Sequence, residues 1–336
     1  MTDASTAVAT AHPNIALVKY WGKQDEELVL PLADSLSMTL DVFPTTTCVT
    51  RCPGAPADTV TMDGRPASQE AARRVVRFLD LVRQRSACDD RASVATRNTV
   101  PVGAGLASSA SGFAALALAA AAAYGLGLDP AGLSRLARRG SGSAARSVFG
   151  GFALWHAPGP HAPDPDAACY AEPLAGVRVD AALVVVLLDT GPKSVSSREA
   201  MRRTVATSPL FPAWLAATRL DLRHMRAALE AGDLATAGEI AEHNALGMHA
   251  TLESADPPVR YLTEQSHRVL EQVRALRTAG AGCWATMDAG PNVKVLCPGD
   301  QATRIAERLT TATGFPAVVA RPGPAAALHP GAEAAR

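Results

Sequence analysis

The sequence predicts a mixed α+β protein with two domains. Its 336 residues are enough for two domains that share an extensive core. Residues 28–51 carry alternating, β-branched segments typical of antiparallel strands, whereas residues 213–279 carry helical periodicity. We therefore expect a first domain at 1–185, a second at 186–322 and a disordered tail at 323–336.

The composition limits the classes of partner. Lys and Arg total 32 and Asp and Glu total 32, so no overall basic bias favours nucleic acid or an anionic membrane. The longest apolar run, 113–124, is shorter than the ~20 residues that a bilayer requires. Residues 1–10 lack the basic start and apolar core of a secretory signal. We expect a cytoplasmic protein that binds anions only at local sites.

A zinc site is not expected. The six cysteines show no Cys-x-x-Cys spacing, and we interpret them as reduced thiols. His243 and His249 are six residues apart and do not share a helix face, so we interpret both as ordinary histidines.

The first polar segment, AHPNIALVKYWGK at 11–23, places an adjacent Tyr20 and Trp21 between Lys19 and Lys23. Aromatic residues make up only 4% of the chain, so this is a local concentration. Two interpretations remain: a strand end with solvated lysines, or a polar wall with two cations for an anionic substrate. A helix follows at 68–86, with arginines beside its apolar stripe, and a strand at 93–100.

That strand leads into PVGAGLASSASG at 101–112, which continues as a helix rich in alanine and leucine. Gly103 and Gly105 allow a close approach to a ligand, and serines supply hydroxyls where the helix starts. The unpaired N–H groups of a helix start favour phosphate. The loop lacks the Lys-Ser or Lys-Thr of a Walker loop, and the repeated units of a dinucleotide fold are missing. The alternative is a tight turn that caps a buried helix.

Two later turns carry candidate functional groups. A short helix at 133–139 runs into GSGSAAR at 140–146, where Arg146 could bind a carboxylate or phosphate, or the turn could simply connect helices. Strands follow at 152–156 and 183–188, and a polar turn at 191–198 precedes the helical half. Two strands at 283–288 and 293–296 are joined by a turn in which Asp288 is either a positioned base or a turn-closing residue. A last helix is predicted at 301–313.

Taken together, NIALVKYWGK, PVGAGLASSASG, GSGSAARS, VSSRE and MDAGPN closely resemble the diphosphomevalonate decarboxylases of the GHMP kinase superfamily. The motifs follow the family's order from about residue 11 to residue 298. The resemblance implies the two-domain GHMP kinase fold, with an N-terminal left-handed β-α-β domain that binds ATP and a ferredoxin-like C-terminal domain.

The resemblance also implies the reaction. ATP phosphorylates the tertiary hydroxyl of mevalonate 5-diphosphate, and loss of carbon dioxide and phosphate then gives isopentenyl diphosphate. A homodimer and the cofactors ATP and Mg²⁺ are implied as well, with Ser108 near the metal. The implied ATP-binding residues are Pro101, Gly103, Ala104, Gly105, Leu106, Ala107, Ser108 and Ser109.

By the same resemblance, Asp288 lies by the tertiary hydroxyl, Arg146 by the substrate carboxylate, and Lys19 beside both Asp288 and the transferred phosphate. The implied substrate-binding residues are Asn14, Tyr20, Trp21, Gly22, Lys23, Arg74, Ser141, Gly142, Ser143, Ala144, Ala145 and Arg198. A shift of one residue would put Arg73 in the place of Arg74. Asp34 departs from the family's uncharged pattern, and its carboxylate would repel phosphates nearby.

Three alternatives stay open at this point. A phosphomevalonate decarboxylase would act on the monophosphate, and a mevalonate 3-kinase would stop after phosphorylation. Asp288, Arg146 and Lys19 argue against a kinase that stops, and Lys23 and Arg198 favour the diphosphate. A nucleotide-binding regulator or pseudoenzyme would lose the acid–base residues that this chain keeps.

Overall fold

The computed structural model of the chain describes residues 5–99, 108–188 and 195–329. The mixed α+β class is confirmed, because both sheets and helices build the described residues. Strands dominate the first half and helices the second, as the periodicity predicts. The division at residue 185 stays a prediction.

The first half contains two sheets. Its strands are β1 (Thr6–Ala11), β2 (Asn14–Val18), β3 (Lys23–Asp25), β4 (Leu30–Pro31), β5 (Ser35–Thr39), β6 (Thr45–Cys52), β7 (Thr59–Met62), β8 (Arg65–Pro66), β9 (Arg91–Asn98), β10 (Phe152–Trp155) and β11 (Ala171–Pro173). One six-stranded sheet has the order β16-β1-β6-β9-β7-β8, where β16 (Ala327–Leu328) comes from the end of the chain, and a four-stranded sheet has the order β11-β10-β5-β2. A short β3-β4 ladder lies beside them.

The helices of the first half include one that lies against the larger sheet. They are α1 (Gln69–Ser86), α2 (Ser108–Ala123), α3 (Pro130–Gly140) and α4 (Pro165–Ala168), with a 3₁₀ helix over Gly142–Val148. Helix α2 contacts β1, β6, α3 and the 3₁₀ helix. Its alanine side chains are almost all buried, so its backbone approaches these neighbours closely and its start is held in a fixed place.

The second half is built on a four-stranded sheet with helices packed against it. Its strands are β12 (Ala181–Val186), β13 (Trp284–Met287), β14 (Val293–Pro298) and β15 (Ala317–Ala320), in the order β13-β14-β12-β15. Its helices are α5 (Ser197–Thr207), α6 (Phe211–Ala231), α7 (Leu234–Glu253), α8 (Glu264–Thr278) and α9 (Ala302–Thr313). One hydrophobic cluster includes Leu36 and Leu154 of the first half together with Leu183, Met225 and Leu229 of the second. The two halves therefore share a core.

The prediction that the tail is disordered is wrong for residues 323–329. Pro322 forms an isolated antiparallel β-bridge with Leu40, and β16 pairs with β1 in the antiparallel sense. The amide of Gly323 donates to the carbonyl of Thr39 at 2.8 Å. The small residues of this segment favour disorder by composition, but the backbone hydrogen bonds of a sheet edge keep it ordered. No helix among the described residues is both long and apolar enough to span a membrane.

Candidate active site

The site is centred on Asp288, which directly follows β13. Strands β13 and β14 pair through Met287 and Val293, so residues 288–292 form a tight connection at the end of the sheet. The Nζ of Lys19 lies 2.8 Å from Oδ1 of Asp288, and the Nζ of Lys294 lies 3.2 Å from Oδ2. Each carboxylate oxygen therefore faces its own lysine.

The charges around Asp288 determine its protonation. Burial alone would raise the pKa of Asp288, but the charges of Lys19 and Lys294 outweigh it and hold the pKa well below its usual range. Burial also lowers the pKa of Lys19 to about 8, although the Asp288 carboxylate opposes this change. The carboxylate is therefore ionised at neutral pH, and it can accept a hydrogen bond from a hydroxyl group.

Lys19 is fixed in place by both halves of the chain. It follows β2, and its Nζ also donates to the carbonyl of Ala16 at 2.8 Å. Its backbone amide donates to Oδ1 of Asn244 on α7 at 2.8 Å. The amide group of Asn244 in turn donates to Asp221 on α6. Only 2% of the Lys19 side chain is exposed, so the ammonium has one orientation.

Arg146 is held by a second polar network in the 3₁₀ helix. Its Nε donates to Oδ1 of Asn14 and to Oγ of Ser37, and its Nη1 donates to Oγ of Ser35 at 2.6 Å. Asn14 also donates to the carbonyl of Ser143 at 2.9 Å, which joins β2 to the 3₁₀ helix. Burial lowers the pKa of Arg146 to about 10, so it stays a cation at neutral pH.

These groups line one cavity of about 320 Å³. The cavity is also bounded by Tyr20, Trp21 and Lys23. The hydroxyl of Tyr20 and the Nε1 of Trp21 are buried and have no hydrogen-bond partner among the described residues. Both are donors, so the wall can bind an anion without first breaking an internal hydrogen bond.

Other cations surround the outer part of the cavity. Arg74 and Arg198 both line it. Burial lowers the pKa of Arg74, and the positive charge of Arg198 lowers it further. Arg73 is exposed and is not among the lining residues, so the structure favours Arg74 of the two candidates. Lys23 is ion-paired with Glu26.

The predicted glycine–serine turn also contributes to the wall. Ser141, Gly142 and Ser143 line the cavity, but Ala144 and Ala145 are completely buried in the core and are not among its lining residues. Gly22 is not a lining residue either; it has a φ of +92° and packs against Leu32 and Phe211. Direct contacts of these residues with substrate therefore stay predictions.

Asp34 is not among the residues that line the cavity, so its carboxylate is not placed where it would repel phosphates. Its Oδ1 accepts a hydrogen bond from the backbone amide of Ala157 at 2.7 Å. The carboxylate therefore anchors the loop after β10.

Most of the predicted ATP loop, including Pro101, Gly103, Ala104, Gly105, Leu106 and Ala107, lies outside the described residues, as does the side chain of Ser108. Ser109 is described, and its hydroxyl lies 3.3 Å from that of Ser141. A second cavity of about 340 Å³ lies beside the start of α2, and it shares Arg74 and Ser109 with the first cavity. Its other walls include Met62, Thr96, Asn98 and Leu116.

Sequence reasoning missed three residues of the site. Lys294 is a single cation in an apolar strand, and only the pairing of β13 with β14 places it beside Asp288. Asn244 lies more than 200 positions from the amide that it binds. The sequence spacing predicts an ordinary histidine at 249, yet His249 is buried and contacts the backbone of Asp288, and its pKa is lowered to about 4, chiefly by burial.

Two family models match the chain. One, described as the diphosphomevalonate decarboxylase-like N-terminal domain, matches residues 11–170, and the other, the mevalonate 5-diphosphate decarboxylase C-terminal domain, matches residues 182–320. The diphosphomevalonate decarboxylase of Aspergillus fumigatus is 34% identical over 309 residues, which cover 86% of this chain and 76% of the relative. That of Saccharomyces cerevisiae is 35% identical over 308 residues and covers 85% and 76%.

Solved structures are similar over nearly the full length. A structure of MDDEF in complex with MVAPP, AMPPCP and magnesium is 42% identical, with a TM-score of 0.92, and covers 97% of this chain and 99% of that one. The mevalonate diphosphate decarboxylase of Staphylococcus aureus is 38% identical, with a TM-score of 0.92 and coverage of 97% and 98%.

Proposed function

The chain belongs to the diphosphomevalonate decarboxylase family, and we infer from this that it converts mevalonate 5-diphosphate and ATP to isopentenyl diphosphate, ADP, phosphate and carbon dioxide. The resemblance noted in the sequence is thus confirmed, as is the two-domain GHMP kinase fold. The observation that carries the mechanism is the convergence of Asp288, Lys19 and Arg146 on one cavity.

Asp288 acts in the first step, the transfer of a phosphoryl group. Its ionised carboxylate accepts a hydrogen bond from the tertiary hydroxyl and directs the hydroxyl oxygen toward the γ-phosphorus of ATP. The oxygen forms a bond to phosphorus, the bond to ADP breaks, and the hydroxyl proton passes to Asp288 or to water. Lys19 lies beside Asp288 and stabilises the negative charge on the transferred group.

Arg146 acts in the second step, the loss of carbon dioxide. Its guanidinium holds the substrate carboxylate in one direction, because Asn14 and Ser37 accept hydrogen bonds from its Nε and Ser35 accepts one from its Nη1. The carbon–carbon bond to the carboxylate breaks, its electron pair forms the new double bond, and the carbon–oxygen bond to phosphate breaks. Phosphate leaves far more readily than hydroxide would, so the phosphorylation makes this elimination possible.

The diphosphate of the substrate lies against the outer part of the cavity in this proposal. Arg74, Arg198 and Lys23 supply more positive charge than one phosphate needs, and the neutral donors of Tyr20 and Trp21 can add hydrogen bonds. This excess supports the diphosphate over the monophosphate. A phosphate group that binds in the outer part of the cavity competes with Glu26 for the ammonium of Lys23.

ATP occupies the second cavity, with its phosphates at the start of α2. The cavity offers apolar contacts from Met62 and Leu116 to a base, and it meets the substrate cavity at Arg74 and Ser109. This connection lets the γ-phosphate reach the tertiary hydroxyl.

Magnesium needs few protein ligands when phosphates supply the rest. The carboxylate of Glu70 and the hydroxyl of Ser109 fit such a site, because both residues line the same cavity. They would hold Mg²⁺, whose positive charge would neutralise part of the negative charge of the phosphates. The homodimer and the cytoplasmic location both stay predictions.

A coupled assay tests this function. Mevalonate, its 5-phosphate and its 5-diphosphate are offered separately with ATP and Mg²⁺, and ADP and carbon dioxide are recorded together. We expect matched release of both products from the 5-diphosphate alone. ADP without carbon dioxide would identify a 3-kinase instead, and silence with all three substrates would contradict the assignment.

A further inference from the structure

We propose that Lys294 is a positioning residue for the reaction, which fixes the Asp288 carboxylate by its Oδ2 so that Oδ1, shared with Lys19, faces the reacting hydroxyl. The proposal rests on the function inferred above, and it goes beyond the roles implied by the family motifs. It stands on the position of Lys294 in the sheet and on its contacts.

The position of Lys294 is unusual for a lysine. It is the second residue of β14, opposite Val185 of β12 and Thr286 of β13, and only 1% of its side chain is exposed. A buried ammonium is costly unless a counter-charge and hydrogen bonds compensate for lost water. Among the described residues, Asp288 is its only ion-pair partner. The sheet therefore holds this cation in place for one carboxylate.

The two lysines have different geometric relations to Asp288. Lys19 comes from β2 in the first half, at 2.8 Å from Oδ1, whereas Lys294 comes from β14 in the second half, at 3.2 Å from Oδ2. Asp288 and Lys294 belong to one hairpin, so their contact does not depend on how the halves meet. Lys294 thus sets the orientation of the carboxylate plane before Lys19 or the substrate contributes.

The charge balance favours the same role. Lys19, Lys294 and Arg146 carry three positive charges near the single negative charge of Asp288, while the neighbouring His249 on α7 is neutral at pH 7 because burial lowers its pKa. Without Lys294, only Lys19 would oppose the effect of burial, so the pKa of Asp288 would rise. A protonated Asp288 could not take up the hydroxyl proton, and it would accept the hydrogen bond of the hydroxyl more weakly than the carboxylate does.

The test replaces Lys294 and follows the pH profile as well as the rate. Lys294→Met removes the charge and keeps the length of the side chain, so we expect kcat to fall on the order of 10²-fold while ATP binding is retained. Lys294 lowers the pKa of both Asp288 and Lys19, so its loss raises both. The pH optimum of kcat/KM should therefore move to higher pH.

Lys294→Arg is the matched variant, because it keeps the positive charge. We expect its pH optimum to remain close to that of the wild type, even where its rate is lower. Thermal unfolding and ATP binding verify that each variant is folded, and Lys294→Gln takes the place of Lys294→Met if the latter does not fold.

Two results bear on different claims. A folded, neutral variant with an unchanged pH optimum and an unchanged kcat would overturn the role of Lys294. Wild-type protein that releases no carbon dioxide from mevalonate 5-diphosphate would contradict the proposed function itself, and this is measured first.

Discussion

At the scale of single residues, the site depends on side chains that other side chains hold still. Asn14 shows this best, because its amide connects the backbone of Ser143 to the guanidinium of Arg146. The sequence motif implies that Asn14 binds substrate, and this stays a prediction, since Asn14 lines the cavity. Its hydrogen bonds indicate that it also orients Arg146. A motif identifies residues that belong together without separating those that contact the substrate from those that support them.

Arg146→Lys should uncouple the two steps of the reaction. A lysine keeps the charge but cannot bind Asn14, Ser35 and Ser37 through two edges of a planar group. We expect carbon dioxide release to fall on the order of 10²-fold, with ADP formed in excess over carbon dioxide. The ratio of the two products measures this directly.

Arg202→Lys provides the control, because Arg202 is exposed and pairs only with Glu199 among the described residues. Arg202→Lys should still release ADP and carbon dioxide in equal amounts. Equal amounts of ADP and carbon dioxide at an unchanged rate from Arg146→Lys would show that the carboxylate is held elsewhere.

His249 should make the protein sensitive to acid. Its pKa is about 4 in the folded protein against 6.5 for the free side chain. A lowered folded pKa means that the unfolded state binds the proton first, so stability is lost as pH falls from about 6.5 to about 4. We expect the free energy of unfolding to be lower at pH 5 than at pH 7 by roughly 2 kcal/mol from this group.

Urea unfolding of His249→Gln at pH 5 and pH 7 checks this. In this variant the part of the stability difference that comes from His249 should disappear. His243 lies on the same helix but is exposed, so His243→Gln should retain the wild-type difference. The same dependence on pH in all three proteins would contradict the assignment to His249.

At the scale of elements, the C-terminal segment 321–329 joins the two halves. It leaves β15 of the second half, passes Leu40, and ends as a strand beside β1 of the first half. The amide of Ala326 donates to the carbonyl of Val148, the last residue of the 3₁₀ helix that carries Arg146. The segment therefore supports the back of the active site.

Gly150→Ala should weaken this contact. A Cβ at Gly150 would lie 2.7 Å from the amide nitrogen of Ala325 and 2.8 Å from the carbonyl oxygen of Gly323, and both are backbone atoms. We expect a loss of about 1–3 kcal/mol in the free energy of unfolding. Gly159→Ala is the matched control, because nothing lies within 4 Å of its added Cβ. Equal stability of the two variants in chemical denaturation would mean that the segment does not pack against Gly150.

At the scale of the whole molecule, the shared core makes the halves interdependent. Leu36 and Leu154 pack in the same cluster as Met225 and Leu229, so separating the halves would expose apolar surface from both. We expect one cooperative unfolding transition, in which the calorimetric and van't Hoff enthalpies agree. Two resolved transitions would show instead that each half has its own sufficient core.

The sequence predicted the elements well where periodicity is strong. The predicted helix at 68–86 and the observed α1 differ by one residue at the start, because the apolar stripe and the cap at Ser68 are local signals. The pairing of Lys294 with Asp288 and the order of segment 323–329 could not be predicted in this way. Both depend on which strands become neighbours, and no local pattern contains that information.

The position of Trp21 gives the protein an intrinsic optical probe. The chain has four tryptophans, and Trp21 is the one that lines the cavity at Asp288, with its indole N–H unpartnered among the described residues. An anion that hydrogen-bonds this group changes the electric field on the ring, and hence its emission. Substrate affinity can then be titrated by fluorescence without label or turnover, even in variants whose chemistry is lost.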